Sequence, residues 1–233
     1  MKELHLKVII VGDKGVGKTT LVKRVVEGKF TPALRVTIGV DYATTSWTLH
    51  DHPIGHPITI KADFTDIAGQ DSYPAIASTV MTGAKAVFVV TSYPVSTASL
   101  KRAGQWIKAA QDKHRDSSVL PFYLLVNKCD MCGTEKGVGL MRAYDPMLTR
   151  FVNGEEEECT MFDPAGLKGY RATSAKDGTN LPDACREWIE NLAKEMGAEA
   201  LAEPDDGSAP KWSASTSNRP RSDRQKAGCP CKT

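Results

Sequence analysis

The segment Gly12-Asp13-Lys14-Gly15-Val16-Gly17-Lys18-Thr19 restricts this chain more than any other feature. It matches G-x-x-x-x-G-K-[ST], and its flanks supply the context that separates a phosphate cradle from a chance match. Leu4–Val11, just before it, is apolar and β-branched, as a buried parallel strand is. Lys18–Glu27, just after it, has helical composition and closes at Gly28. The glycines let the backbone curl so that successive N–H groups point inward at phosphate oxygens, and the helix adds its positive dipole end. Gly15, Val16, Gly17, Lys18, Thr19 and Thr20 are therefore the candidate phosphate-binding residues. Lys18 is the expected point charge on the β- and γ-phosphates, and the Thr19 hydroxyl the expected Mg²⁺ ligand.

Two further short apolar runs, Ala86–Thr91 and Phe122–Val126, read as buried strands, and Ser99–His114 between them reads as a helix. The last helix is the plainest. Leu181, Ala184, Cys185, Trp188, Ile189, Leu192, Ala193 and Met196 recur at three- and four-residue spacing, a packing stripe. Strands alternating with helices imply an α/β fold with a parallel sheet covered on both faces, which binds ligands at the carboxyl ends of its strands. Hydrophobic content of 41% excludes wholesale disorder. No apolar run reaches the roughly 18 residues of a membrane span, and the N-terminus does not read as a secretory signal. The six cysteines are expected as reduced thiols.

A phosphate loop alone does not name its nucleotide. Asn127-Lys128-Cys129-Asp130 follows directly on the third buried strand. An Asp130 carboxylate there accepts both N–H groups of guanine's N1/N2 edge, a pair that adenine lacks. Asn127 is expected to tie the base and phosphate loops together, and the Lys128 stem to cover one face of the base. Thr173-Ser174-Ala175-Lys176 precedes the last helix, with the Ala175 N–H expected at the guanine O6 and Lys176 over the ring. Asp66-Ile67-Ala68-Gly69-Gln70 follows the candidate strand Thr59–Phe64. Asp66 is expected to complete the Mg²⁺ site, Gly69 to offer its N–H to the γ-phosphate, and Gln70 to orient the attacking water. Thr37, between the first helix and the next strand, is the expected second hydroxyl ligand.

In this order the five elements resemble a small GTPase of the Ras superfamily. Thr37-Ile38-Gly39-Val40-Asp41-Tyr42 is similar to the switch I segment of its Rab branch, and Asp66-Ile67-Ala68 is similar to the Rab subgroup of lysosome-related organelles. The resemblance covers residues 5–197. It implies a six-stranded, mostly parallel sheet flanked by five helices in a GTP-binding domain over 1–203, whereas composition alone predicts a disordered tail over 204–233, too poor in apolar residues to offset its ordering entropy. It also implies GTP and GDP as ligands with Mg²⁺, slow hydrolysis with Lys18 and Gln70 in the catalytic roles, and a switch governing vesicle or organelle traffic. The implied partners are an exchange factor, a GTPase-activating protein, effectors, and a GDP-dissociation inhibitor or escort protein. The chain departs from the family at Thr65, Val80 and Met81, where Rab proteins carry aromatic residues, and at Lys14, which leans toward the γ-phosphate. A GTP-bound scaffold with negligible hydrolysis and a metabolic P-loop kinase are the rival readings.

Three segments remain. His50, His52 and His56 lie in a lengthened hairpin that reads as a solvated turn, with a metal clip as the alternative. Met131–Ala172 is longer than usual and includes Glu155–Glu158, expected as an exposed acidic loop. Residues 204–233 hold six basic and three acidic side chains, leaving 24 basic and 25 acidic in the first 203. That basic tether ends near Cys229 and Cys231, which suggest double geranylgeranylation in a Rab-like chain; two lipids anchor stably where one does not. The expected location is the cytoplasmic face of an intracellular membrane, with a cytosolic pool and no nucleic-acid partner.

Overall fold

Strand β1, Lys2–Gly12, organises the molecule because both of its faces are apolar. Successive side chains leave a strand on opposite sides. Leu4, Leu6, Val8 and Ile10 enter one core, while Ile9 and Val11 enter another. The computed structural model describes residues 2–32, 37–69, 78–114, 119–132 and 135–196. Along these, β1 is followed by α1 (Lys18–Glu27), β2 (Val40–Leu49), β3 (Ile58–Ile67), α2 (Ser78–Met81) and β4 (Ala84–Ser92). Then come α3 (Thr97–Lys113), β5 (Phe122–Asn127), α4 (Glu135–Val152), β6 (Leu167–Ala172) and α5 (Asp183–Met196).

The strands form one sheet in the order β2-β3-β1-β4-β5-β6. Only β2 runs against its neighbour, β3; the other pairings are parallel. The parallel strands therefore present all their carboxyl ends along one edge, where the loops of interest emerge. On one face α1 and α5 pack through Leu21, Val22, Trp188 and Ile189; on the other, α3 and α4 pack through Trp106, Ile107, Leu148 and Phe151. Trp188 stacks on Tyr123 of β5 at 4.5 Å between ring centroids, seating α5 on the sheet. Helix α3 starts at a reciprocal cap in which Ser96 and Ser99 each accept the other's backbone N–H.

The hairpin between β2 and β3 is neither a metal clip nor a free turn. His52 is 3% exposed and both ring nitrogens are engaged. Its Nδ1 accepts the Ile54 N–H at 3.3 Å, so Nε2 carries the proton and donates to Ala193 O of α5 at 3.0 Å. Beside it Lys194 pairs with Asp51 at 2.6 Å, and the Trp47 indole donates to Glu190 at 2.8 Å. The hairpin thus docks on the last turns of α5. Among the described residues no group of His, Cys, Asp and Glu is placed to hold a metal ion. Much of the long stretch after Met131 is helix α4, and in the acidic run Glu156 pairs with Arg150 at 2.7 Å. Cys129, Cys132 and Cys185 are free thiols, and all three are buried, as is Cys159. Among the described residues no helix is long and apolar enough to cross a membrane. The tail over 204–233, with Cys229 and Cys231, lies outside the described residues.

Candidate functional site

At the carboxyl end of β1 the chain turns through Gly12–Gly17 and enters α1 at Lys18. Gly17 has φ 96°, and a Cβ there would lie 2.5 Å from Asn127 Nδ2; both facts demand glycine. Lys18 is 7% exposed, and its ammonium donates to Gly12 O at 2.8 Å and Asp13 O at 2.9 Å. Burial lowers its pKa, opposed by the charges of Asp66 and Asp13. Carbonyl oxygens neutralise none of that charge, so the buried ammonium suits an anionic ligand. Gly69, two residues beyond β3, lies against the same group: a Cβ on it would stand 2.4 Å from Lys18 Nζ and 2.6 Å from Gly12 O. Any larger residue would displace the lysine or the loop.

Three side-chain oxygens meet in the first turn of α1. The Thr19 and Thr37 hydroxyls lie 2.6 Å apart, and the Thr19 hydroxyl donates to Asp66 Oδ2. Asp66 Oδ1 is buried and has no hydrogen-bond partner among the described residues. Burial raises the Asp66 pKa, while the Thr19 hydrogen bond and the Lys18 charge oppose the rise and Asp41 adds to it. A buried carboxylate with a spare oxygen beside two hydroxyls is an all-oxygen donor set, the kind that a hard cation such as Mg²⁺ prefers. The residues present therefore fit the implied metal.

The loops after β5 and β6 are locked to the phosphate loop by one side chain. Asn127 is 2% exposed; its Nδ2 donates to Val16 O at 2.9 Å and its Oδ1 accepts the Ala175 N–H at 3.0 Å. The Ala175 N–H, expected at a base oxygen, is thus given to Asn127, and Ala175 enters the site as one end of a strut. Lys128 adopts φ 65°, unusual for a side-chain-bearing residue, and its Nζ donates to Gly15 O at 2.6 Å. The Cys129 N–H donates to Thr173 O and the Thr173 N–H to Val126 O, pinning the two loops side by side. The Asp130 carboxylate accepts from Ser174 Oγ at 2.7 Å, with Lys176 Nζ at 3.7 Å. One carboxylate is thereby oriented at the mouth of the two loops.

The expected residues from Gly15 to Thr20, with Thr37, Asp66, Gly69, Asn127, Lys128, Asp130 and Ser174–Lys176, thus gather along one sheet edge. Gln70 lies outside the described residues. Sequence reasoning missed the anchoring of Asp13, whose carboxylate is held by Arg102 and Trp106 of α3. A cation and an indole donor four residues apart on a predicted helix were the available signal; the partner 89 residues away in sequence was not legible.

Comparison with known proteins agrees with this geometry. A family model described as the Ras family matches residues 7–194. The chain is 29% identical over 205 residues to the GTP-binding protein ypt3 of Schizosaccharomyces pombe, covering 88% of this chain and 83% of that one. It is 30% identical to the Ras-related protein Rab7 of Cenchrus ciliaris, over 86% and 88% of the two chains. It is 33% identical to the GTP-binding protein YPT52 of Saccharomyces cerevisiae, over 81% and 82%.

Proposed function

The chain belongs to the Ras family, and from that premise we propose that it is a Rab-type switch that cycles between GDP and GTP on an intracellular membrane. Members of this family bind GTP and GDP with Mg²⁺ and hydrolyse GTP to GDP and phosphate. The single observation that carries the reading is the Asn127 strut, which joins Val16 of the phosphate loop to Ala175 of the last loop at 2.9 and 3.0 Å. A site that couples phosphate and base recognition through one buried amide is built for a whole nucleotide. Identities of 29–33% to ypt3, Rab7 and YPT52 are consistent with Rab-type relatives at large, without the subgroup that Asp66-Ile67-Ala68 suggests.

In this reading Gly15–Thr20 cradle the phosphates with backbone N–H groups, and the buried Lys18 holds their negative charge. Thr19, Thr37 and Asp66 hold Mg²⁺. Mg²⁺, when bound, neutralises charge developing on the phosphate oxygens. Asp130, oriented by Ser174, reads the guanine edge, while Lys128 and Lys176 flank the base. Gln70 positions water for hydrolysis, which is slow because such sites contribute orientation and charge rather than covalent chemistry.

The switch itself is the pairing of Thr37 with Thr19, a contact between segments 18 residues apart in sequence. Ile38 and Tyr42 flank it at 88% and 61% exposure, an apolar surface whose placement depends on Thr37. Loss of the γ-phosphate withdraws the reason for Thr37 to stay, and the exposed surface goes with it. Met81, at a position where Rab proteins carry an aromatic residue, is 1% exposed and packs in the core, so partners read a different surface there. The basic tail and a lipidated Cys229–Cys231 pair supply the membrane tether, and the partners are an exchange factor, a GTPase-activating protein, effectors and an escort. Affinity capture with chain loaded with GDP or a non-hydrolysable GTP analogue tests the reading. Trafficking proteins enriched on the GTP form support it; identical partner sets in both states refute it.

A further inference from the structure

Asp13 stands where the phosphate loop, helix α3 and the end of β3 meet. Its carboxylate is held from α3 by two donors. The Arg102 Nε–H donates to Oδ2, and the Trp106 indole N–H donates to Oδ1 at 2.9 Å. Four residues apart, the two side chains share one face of the helix. Trp106 is 2% exposed and its nitrogen can only donate, so Asp13 satisfies a buried polar group. The backbone of the same residue serves the loop: Asp13 O accepts the Lys18 ammonium, and a Cβ on Gly69 would lie 2.6 Å from Asp13 C.

A carboxylate one residue into a phosphate loop has an electrostatic consequence. It repels the anion that the loop holds unless a cation lies against it, and Arg102 is such a cation. The arginine is on the solvent side, with 43% of its side chain exposed, whereas the Asp13 side chain is 24% exposed. The burden on the loop grows with the charge of the ligand. A nucleoside triphosphate carries about one more negative charge than a diphosphate, so an uncovered Asp13 penalises it more.

We propose that the Arg102–Asp13 pair is a specificity-determining element that lets the phosphate loop accept a nucleoside triphosphate as readily as a diphosphate, with Trp106 fixing the carboxylate that Arg102 covers. The inference rests on the guanine-nucleotide reading above and adds a residue of α3 that none of the nucleotide motifs contains. Arg102 is a positioning and charge-covering residue; it is not placed on the nucleotide itself. Helix α3 becomes a lever, since a partner that draws Arg102 away from Asp13 lowers the preference for the triphosphate without touching the site.

The test titrates the full chain with fluorescent GDP and with a fluorescent non-hydrolysable GTP analogue, at low and at high salt. Arg102→Gln is expected to weaken the triphosphate roughly fivefold more than the diphosphate, the scale of one unit charge across a partly screened site. The excess shrinks at high salt. Adding Asp13→Asn to Arg102→Gln restores the wild-type ratio, because Asn still accepts the Trp106 N–H and no charge remains to be covered. Arg102→Lys keeps the cation and keeps the ratio, which holds the proposal to account even if Arg102→Gln folds poorly. Equal losses for both nucleotides in Arg102→Gln, a skewed ratio in Arg102→Lys, or no rescue by Asp13→Asn overturns the proposal while leaving nucleotide binding intact. A wild-type chain that binds neither guanine nucleotide overturns the underlying functional reading as well.

Discussion

Replacing Asn127 by Ala should loosen the nucleotide more than any other single truncation in the base loops. The side chain makes two hydrogen bonds, to Val16 O at 2.9 Å and from the Ala175 N–H at 3.0 Å. Val16 and Ala175 are themselves 8% and 4% exposed, so neither freed group reaches bulk water readily. Each stranded backbone group costs about 1–3 kcal/mol. A water entering the vacated space has two partners, so the lower half of that range applies and the pair costs about 2–4 kcal/mol. At about 1.4 kcal/mol per decade, release of bound GDP should accelerate roughly 30- to 1,000-fold. The assay is displacement of fluorescent GDP by excess unlabelled GDP at fixed Mg²⁺. Asn127→Asp separates the two bonds: it keeps the acceptor for Ala175 but sets a carboxylate against Val16 O, so it should be no better than alanine. A release rate within threefold of wild type for Asn127→Ala would refute the strut and, with it, the coupling of phosphate and base recognition.

Other consequences follow from single contacts. Thr37→Ala removes one of the three gathered oxygens and the tie to Thr19, so it should keep GDP but lose GTP-dependent partner binding in a capture assay. Equal capture by mutant and wild type would contradict the switch. The Cys129 thiol is pushed up to about 11 and the Cys185 thiol to about 12, in both cases chiefly by burial. Thiolate is the reactive form, so both should resist a thiol reagent at pH 8 until denaturant is added, and rapid labelling of either in the native protein would contradict their placement. His52→Ala removes a donor from the Ala193 carbonyl and an acceptor from Ile54. It should cost about 1–2 kcal/mol in urea unfolding, with GDP affinity unchanged, because the hairpin docks far from the site. Serine at both Cys229 and Cys231 should move the protein from membrane to cytosol on fractionation.

How much of this was legible depended on where each partner sits in sequence. Helix α1 spans the Lys18–Glu27 that the pattern predicts, because glycines at 17 and 28 punctuate both ends locally. The phosphate loop, Asn127–Asp130 and Ser174–Lys176 were readable because each is a short run whose chemistry is internal to it. Helix α4 was hidden, since Gly137, Gly139 and Pro146 are poor helix formers and its helical state owes more to packing of Leu148 and Phe151 than to propensity. The histidine hairpin, read as a solvated turn, was misread for a different reason: the partner that buries His52 lies 141 residues away. Likewise Asp13 carried no visible sign that it waits for Arg102. Long-range polar pairs are set by register across the sheet, which no local window contains.

Guanine selection by the loops after β5 and β6, and a Mg²⁺ requirement set by the oxygens around Thr19, are measurable in one experiment. Competition for bound fluorescent GDP among GTP, GDP and ATP, with and without a chelator, tests both at once. GTP and GDP are expected to compete near stoichiometrically and ATP not, because a carboxylate built to accept two N–H groups rejects a base lacking them by about 10⁴-fold or more. Chelation is expected to accelerate GDP release sharply. ATP competing at the same concentration as GTP, or a release rate indifferent to chelation, would contradict this reading.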